Sequence, residues 1–71
     1  MIWQMIRQDK YELEDAIQRG IAIHRERQGT VADTVLCHHS RVSEFRAATT
    51  LAVRGSAGVQ RHEFLVGREA A

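Results

Sequence analysis

Gln28-Gly29-Thr30-Val31-Ala32-Asp33-Thr34-Val35-Leu36-Cys37-His38-His39-Ser40-Arg41-Val42-Ser43-Glu44-Phe45-Arg46-Ala47 is the stretch whose conformation decides the fold. Val31, Ala32, Val35 and Leu36 suit a short helix capped by Thr30, and Ser40 or Ser43 can cap a second running through Phe45 to Ala48. That second helix carries Ser40, Arg41, Ser43 and Glu44 outward while Val42 and Phe45 point in. The same residues also support the opposite reading. Thr30-Val31 and Thr34-Val35 are rich in β-branched side chains, which favour a strand over Thr30 to His38.

The flanks are easier to read. Asp9 to Gln28 carries a helical stripe, Leu13, Ala16, Ile17, Ile21 and His24, at three-and-four spacing. Asp9 and Glu12 form a capping-box-like pair at its start, and Gly29 is a natural stop. Gly20 lowers helix propensity by about 1 kcal/mol relative to Ala and points to a close crossing there. Met1 to Arg7 is an arm or short strand whose Trp3 needs burial, in a partner subunit if not in its own chain. Thr50 to Arg54 and Val59 to Val66 flank the loop signal Gly55-Ser56-Ala57-Gly58, which predicts a β-hairpin over 49–66. Residues 67–71 read as a tail.

At 71 residues the chain is one small domain, and oligomerisation is a natural way to complete so limited a core. The net charge of +1 does not advertise a polyanion binder. Its distribution is uneven, because Asp9, Glu12, Glu14 and Asp15 sit together near the N-terminus, while between Arg41 and Arg68 the arginines Arg41, Arg46, Arg54, Arg61 and Arg68 face only Glu44 and Glu63. A single cysteine, Cys37, fits a reducing, cytoplasmic setting. No signal-peptide pattern and no membrane-length apolar run are present.

The segment 28–47 resembles the helix-turn-helix of phage and bacterial repressor-type DNA-binding regulators. Ala32 sits where the first helix needs a small residue, and Val31, Val35 and Cys37 supply the contacts around it. Val42 and Phe45 supply those of the recognition helix. Leu36 stands where these families usually place Gly at positive φ. The resemblance implies a mainly α fold with a C-terminal β-hairpin as a wing. It implies a sequence-specific transcription regulator that reads the major groove of double-stranded DNA as a homodimer, with no cofactor. On that reading His39, Ser40, Arg41, Ser43 and Glu44 reach base edges, Gln28 touches the backbone, and Arg46, Arg54 and Arg61 contact phosphate.

Other constellations point to less. Cys37-His38-His39, with His24 and His62, lacks the convergent spacing of a metal site, so no metal is expected. Cys37 beside His38 has no orienting acid or oxyanion loop, so no enzyme is expected. The glycine-rich stretch at 55–58 lacks the lysine and the strand–loop–helix context of a P-loop. The alternative architecture is α+β, with one long helix packed on a small antiparallel sheet of Met1–Arg7, Thr30–His38, Phe45–Arg54 and Val59–Val66. It implies a non-enzymatic protein-interaction module such as an adaptor or a phage-type inhibitor of a host complex. A strand at 30–38 also removes the cost of Leu36 in a left-handed turn.

Overall fold

A computed structural model of the protein describes residues 3–69, so the ends of the expected N-terminal arm and C-terminal tail lie outside the described residues. The elements run β1 (Trp3–Arg7), α1 (Leu13–Gln28), β2 (Thr34–His38), a 3₁₀ turn (His39–Arg41), α2 (Val42–Ala48), β3 (Ala52–Ser56) and β4 (Glu63–Gly67). The four strands form one mixed sheet in the order β1-β4-β2-β3. β4 is antiparallel to both β1 and β2, and β3 is parallel to β2. β1, β2 and β3 therefore point the same way and β4 opposes them.

This architecture corrects the mainly α, winged helix-turn-helix expectation. Residues 34–38 are extended, so 30–47 is a strand followed by one short helix rather than two helices. The periodicity of two wins over the helical one: Val35 and Cys37 point into the core, while Leu36 points away between its neighbours on β4 and β3. The sheet alternative needs correction too. The sheet is mixed, and residues 45–48 belong to α2 rather than to a strand.

The expected hairpin also fails, although both of its strands exist. β3 pairs with β2, and β4 inserts between β1 and β2. The run Phe64-Leu65-Val66 is apolar on both faces and takes a position with two neighbours. Arg54, Gly55 and Ser56 suit an edge. The parallel pairing of β2 and β3 needs a crossover of about a dozen residues, which the 3₁₀ turn and α2 provide.

Both helices cover the same face. Ile6, Phe64, Val66, Val35, Cys37 and Val53 point towards them and meet Ala16 and Ile17 of α1 and Phe45 of α2 in one buried cluster. Phe45 meets Phe64 edge-on at 5.3 Å between ring centroids, a contact that adds about 0.5–1.5 kcal/mol beyond its burial. A Cβ on Gly20 would stand 2.9 Å from Ile6 Cγ1, so the close crossing is of α1 over the sheet. Gly29 ends α1 at φ 73° and donates its N–H to the Arg25 carbonyl. The start of α1 departs from expectation: Glu12 is the N-cap and makes no side-chain cap bond, while Asp9 lies in the preceding turn at φ 50°. Asp tolerates that left-handed conformation better than most residues.

Candidate functional site

The parallel run of β1, β2 and β3 brings their carboxyl ends to one edge of the sheet, where open α/β sheets place their ligand crevices. A cleft of about 650 Å³ lies there, lined by Gln8, Asp9, Ser40, Arg41, Glu44, Arg61 and His62. Gln8 and Asp9 follow β1, Ser40 and Arg41 follow β2, and Arg61 and His62 precede β4.

Arg41 ties this edge together. Its Nη2 donates to Gln8 Oε1 at 3.0 Å and to Glu44 Oε2 at 3.1 Å, its Nε to Glu44 Oε2 at 3.3 Å, and its Nη1 to the Arg61 carbonyl. The guanidinium also stands 5.1 Å from the Phe45 ring centroid. Every donor nitrogen of Arg41 is thus engaged within the chain. His38 is similarly committed, because its Nδ1 accepts the Ser40 N–H at 3.1 Å and lies 2.7 Å from Ser40 Oγ. An Nδ1 that accepts a backbone N–H is unprotonated, which suits a neutral ring. Partial burial, then the charges of His39 and Arg61, hold its imidazole below the ordinary value.

Of the residues nominated for DNA contact, Ser40, Arg41, Glu44 and Arg61 do gather at this cleft. His39 is exposed beside it and stacks on His38 at 4.3 Å. Ser43 and Arg46 are exposed on α2, Gln28 ends α1, and Arg54 stands on β3 paired with Glu69 at 2.7 Å. They stand on three elements, α1, α2 and β3, and the helix pair and wing expected to align them are absent among the described residues. Sequence reasoning missed Gln8, Asp9 and His62, which reach the cleft only through the strand order.

Among the described residues, no group of three His, Cys, Asp or Glu side chains could hold a metal ion. Cys37 is fully buried, and burial pushes its thiol up against the lowering pull of Arg41 and Arg46. His24 is buried in the helix layer, with Nε2 at 3.3 Å from Thr30 Oγ1 and Nδ1 without a hydrogen-bond partner among the described residues.

The second surface is the sheet face that neither helix covers. Strand alternation puts Trp3, Met5 and Arg7 of β1, Glu63 and Leu65 of β4, Leu36 and His38 of β2, and Ala52 and Arg54 of β3 on that side. Met5, Leu65, Leu36 and Arg54 are successive register partners across the four strands. Met5 is 58% exposed, and Trp3, Leu36 and Leu65 are partly exposed. None of these four packs against the buried cluster. The rim carries two ion pairs, Arg7–Glu63 at 3.5 Å and Arg54–Glu69. The signal for this face was present in the alternation of Trp3 and Met5 with Gln4 and Ile6, and in Leu65 between two inward residues. Comparison with protein-family models, with curated proteins and with solved structures finds no match to this chain.

Proposed function

We infer that this chain is a non-enzymatic interaction module whose working surface is the uncovered face of its sheet, docking there on the surface of a protein partner. The observation that carries this reading is the placement of Trp3, Met5, Leu36 and Leu65 opposite both helices, away from the buried cluster. A contiguous exposed apolar patch with a polar rim is the usual mark of such a surface. The carboxyl-edge cleft supports the same conclusion from the other side. Arg41 spends its donor nitrogens on holding β1, α2 and the segment before β4 together, and His38 Nδ1 fixes the turn at Ser40, both structural uses. The helix-turn-helix expectation for double-stranded DNA needed two helices within residues 28–47, and Thr34–His38 is a strand there.

An apolar dye that fluoresces on exposed hydrophobic surface, 8-anilinonaphthalene-1-sulfonate, tests the reading on the folded, dilute chain. The native chain is expected to bind it, and Leu36→Lys to lower the signal about fivefold or more with far-UV circular dichroism unchanged. Met5→Lys, at an exposed edge position, repeats the test without touching a central strand. Ser40→Ala and Arg61→Ala at the cleft should leave binding as it was. A signal indifferent to Leu36→Lys and Met5→Lys, or abolished by Arg61→Ala, would overturn the reading.

A further inference from the structure

We propose that the partner seated on the uncovered sheet face is a second copy of this chain, so that the working unit is a homodimer; this rests on the docking-face reading above. An isologous contact needs a patch that is complementary to itself under a two-fold rotation. The two central strands, β4 and β2, carry Leu65 and Leu36 at the same register position. A two-fold axis running along the strands between them lays Leu36 of one copy on Leu65 of the other, twice.

The flanks fit under the same rotation. β1 of one copy then lies over β3 of the other, which sets Trp3 opposite Ala52 and Met5 opposite Arg54. Trp3 and Ala52 end one register row, through Gly67 and Thr34, and Met5 and Arg54 end the next, through Leu65 and Leu36. The largest side chain on the face thus meets one of the smallest, and the aliphatic stem of Arg54 covers the methionine. Charge favours a like surface as well. Arg7–Glu63 and Arg54–Glu69 close within the chain, leaving an apolar centre and a rim of both signs. A partner of one strong sign, acidic or basic, has nothing to complement there, whereas an identical face of balanced charge meets no like-charge penalty.

Size sets the strength. Four strands of five residues, at about 4.8 Å between strands and about 3.3 Å per residue, give a footprint of about 19 by 17 Å. That is about 320 Å² for each copy, with Thr34 and Gly67 in its Trp3–Ala52 row already buried within the chain. It lies well below the roughly 800 Å² per partner of a standard interface, so the dimer is weak and transient.

Sedimentation equilibrium from about 1 μM to about 1 mM reads this directly. Iodide quenching of Trp3, the sole tryptophan, is followed over the same range. The expected result is a reversible monomer–dimer equilibrium in which Trp3 becomes protected as the dimer fills. Met5→Lys and Ala52→Arg, both at exposed strand positions, should each raise Kd at least about tenfold. Val31→Lys, at the other exposed large hydrophobic residue and off this face, should leave Kd unchanged. A chain that stays monomeric to about 1 mM while still binding the dye through Leu36 overturns the second copy and spares the docking face. A dimer indifferent to both face variants overturns the proposal, and a chain that neither binds the dye nor associates overturns both readings.

Discussion

Replacing Arg41 by Met keeps most of the aliphatic stem and removes the guanidinium that joins β1, α2 and the segment before β4. The loss can be worked from its partners. A hydrogen bond to a charged group contributes about 1.5–3 kcal/mol. The bond to Gln8 Oε1 is part-buried and keeps most of that value. The Glu44 side chain is 59% exposed, so its ion pair with Arg41 is discounted to about 0–1 kcal/mol. The Arg61 carbonyl regains water and loses little, while the contact over Phe45 adds about 0.5–1 kcal/mol. The sum is about 2–5 kcal/mol, from a total stability of about 4–11 kcal/mol for a chain of this length. Thermal unfolding followed by circular dichroism should show Tm lowered by about 10–40 °C. An outward-pointing contact residue free of its own fold would cost no more than about 0.5 kcal/mol on removal. A loss that small for Arg41→Met would refute its role as a strut and return it to the pool of binding residues.

The remaining expectations concern the groups around it. Gly55→Ala would set a Cβ 2.9 Å from Val42 Cγ2 and 3.0 Å from the His39 Cα. Backbone cannot yield cheaply there, so denaturant unfolding should show a loss of about 1–3 kcal/mol with the m-value unchanged. The His38 imidazole is held below its ordinary value, so its neutral form stabilises the fold above pH 6.5, and that contribution is lost as pH falls through the folded value. Two-dimensional NMR titration should find the His38 midpoint below 6.5, and His38→Asn, which retains an acceptor for the Ser40 N–H, should flatten the acid limb of the stability curve. Cys37 works in the opposite sense: its thiol is raised above 9.0, so its contribution is intact below that pH and is lost as pH climbs through the folded value. A thiol reagent at neutral pH should label Cys37 only as fast as the chain opens, and immediate labelling of the native protein would contradict its burial.

α1 was legible because several local signals agree on it: an apolar stripe through Ala16 and Ile17, acids in its first turn, Arg25 and Arg27 in its last, and Gly29 beyond. Its first residues were not, since Asp9 and Glu12 have capping chemistry wherever they stand, and only the path out of β1 sets which turn they occupy. Residues 31–36 satisfy two periodicities at once. What selects the strand is non-local: Val35 and Cys37 find Val66, Phe64 and Val53 across the ladder, and a helix there would leave β4 with one neighbour. The hairpin expectation failed for the same reason, because a glycine-rich loop marks a change of direction and not the identity of the next pairing partner. The cleft was half legible. Ser40, Arg41, Glu44 and Arg61 were singled out by residue type, but Gln8, Asp9 and His62 join them only once the strand order is known.

That strand order also governs when the proposed docking face can exist. β4, the last strand in sequence, sits between β1 and β2, so Leu65 is the bridge between Met5 and Leu36. Until it inserts, β1 has no described strand neighbour and the apolar row across the sheet is broken in the middle. The pairing of β1 with β4 joins residues nearly a chain length apart, and loop-closure entropy opposes such contacts until the rest of the fold repays it. The face is therefore a property of the completed fold, not of any segment. β1 alone offers Trp3 and Met5, and β2 alone offers Leu36, each too small a surface to hold a partner. On the proposed docking reading, association through this face is coupled to folding: a change that loosens β4, even one buried on the opposite side such as Phe64→Ala, is expected to weaken dye binding and self-association without altering a single side chain of the face.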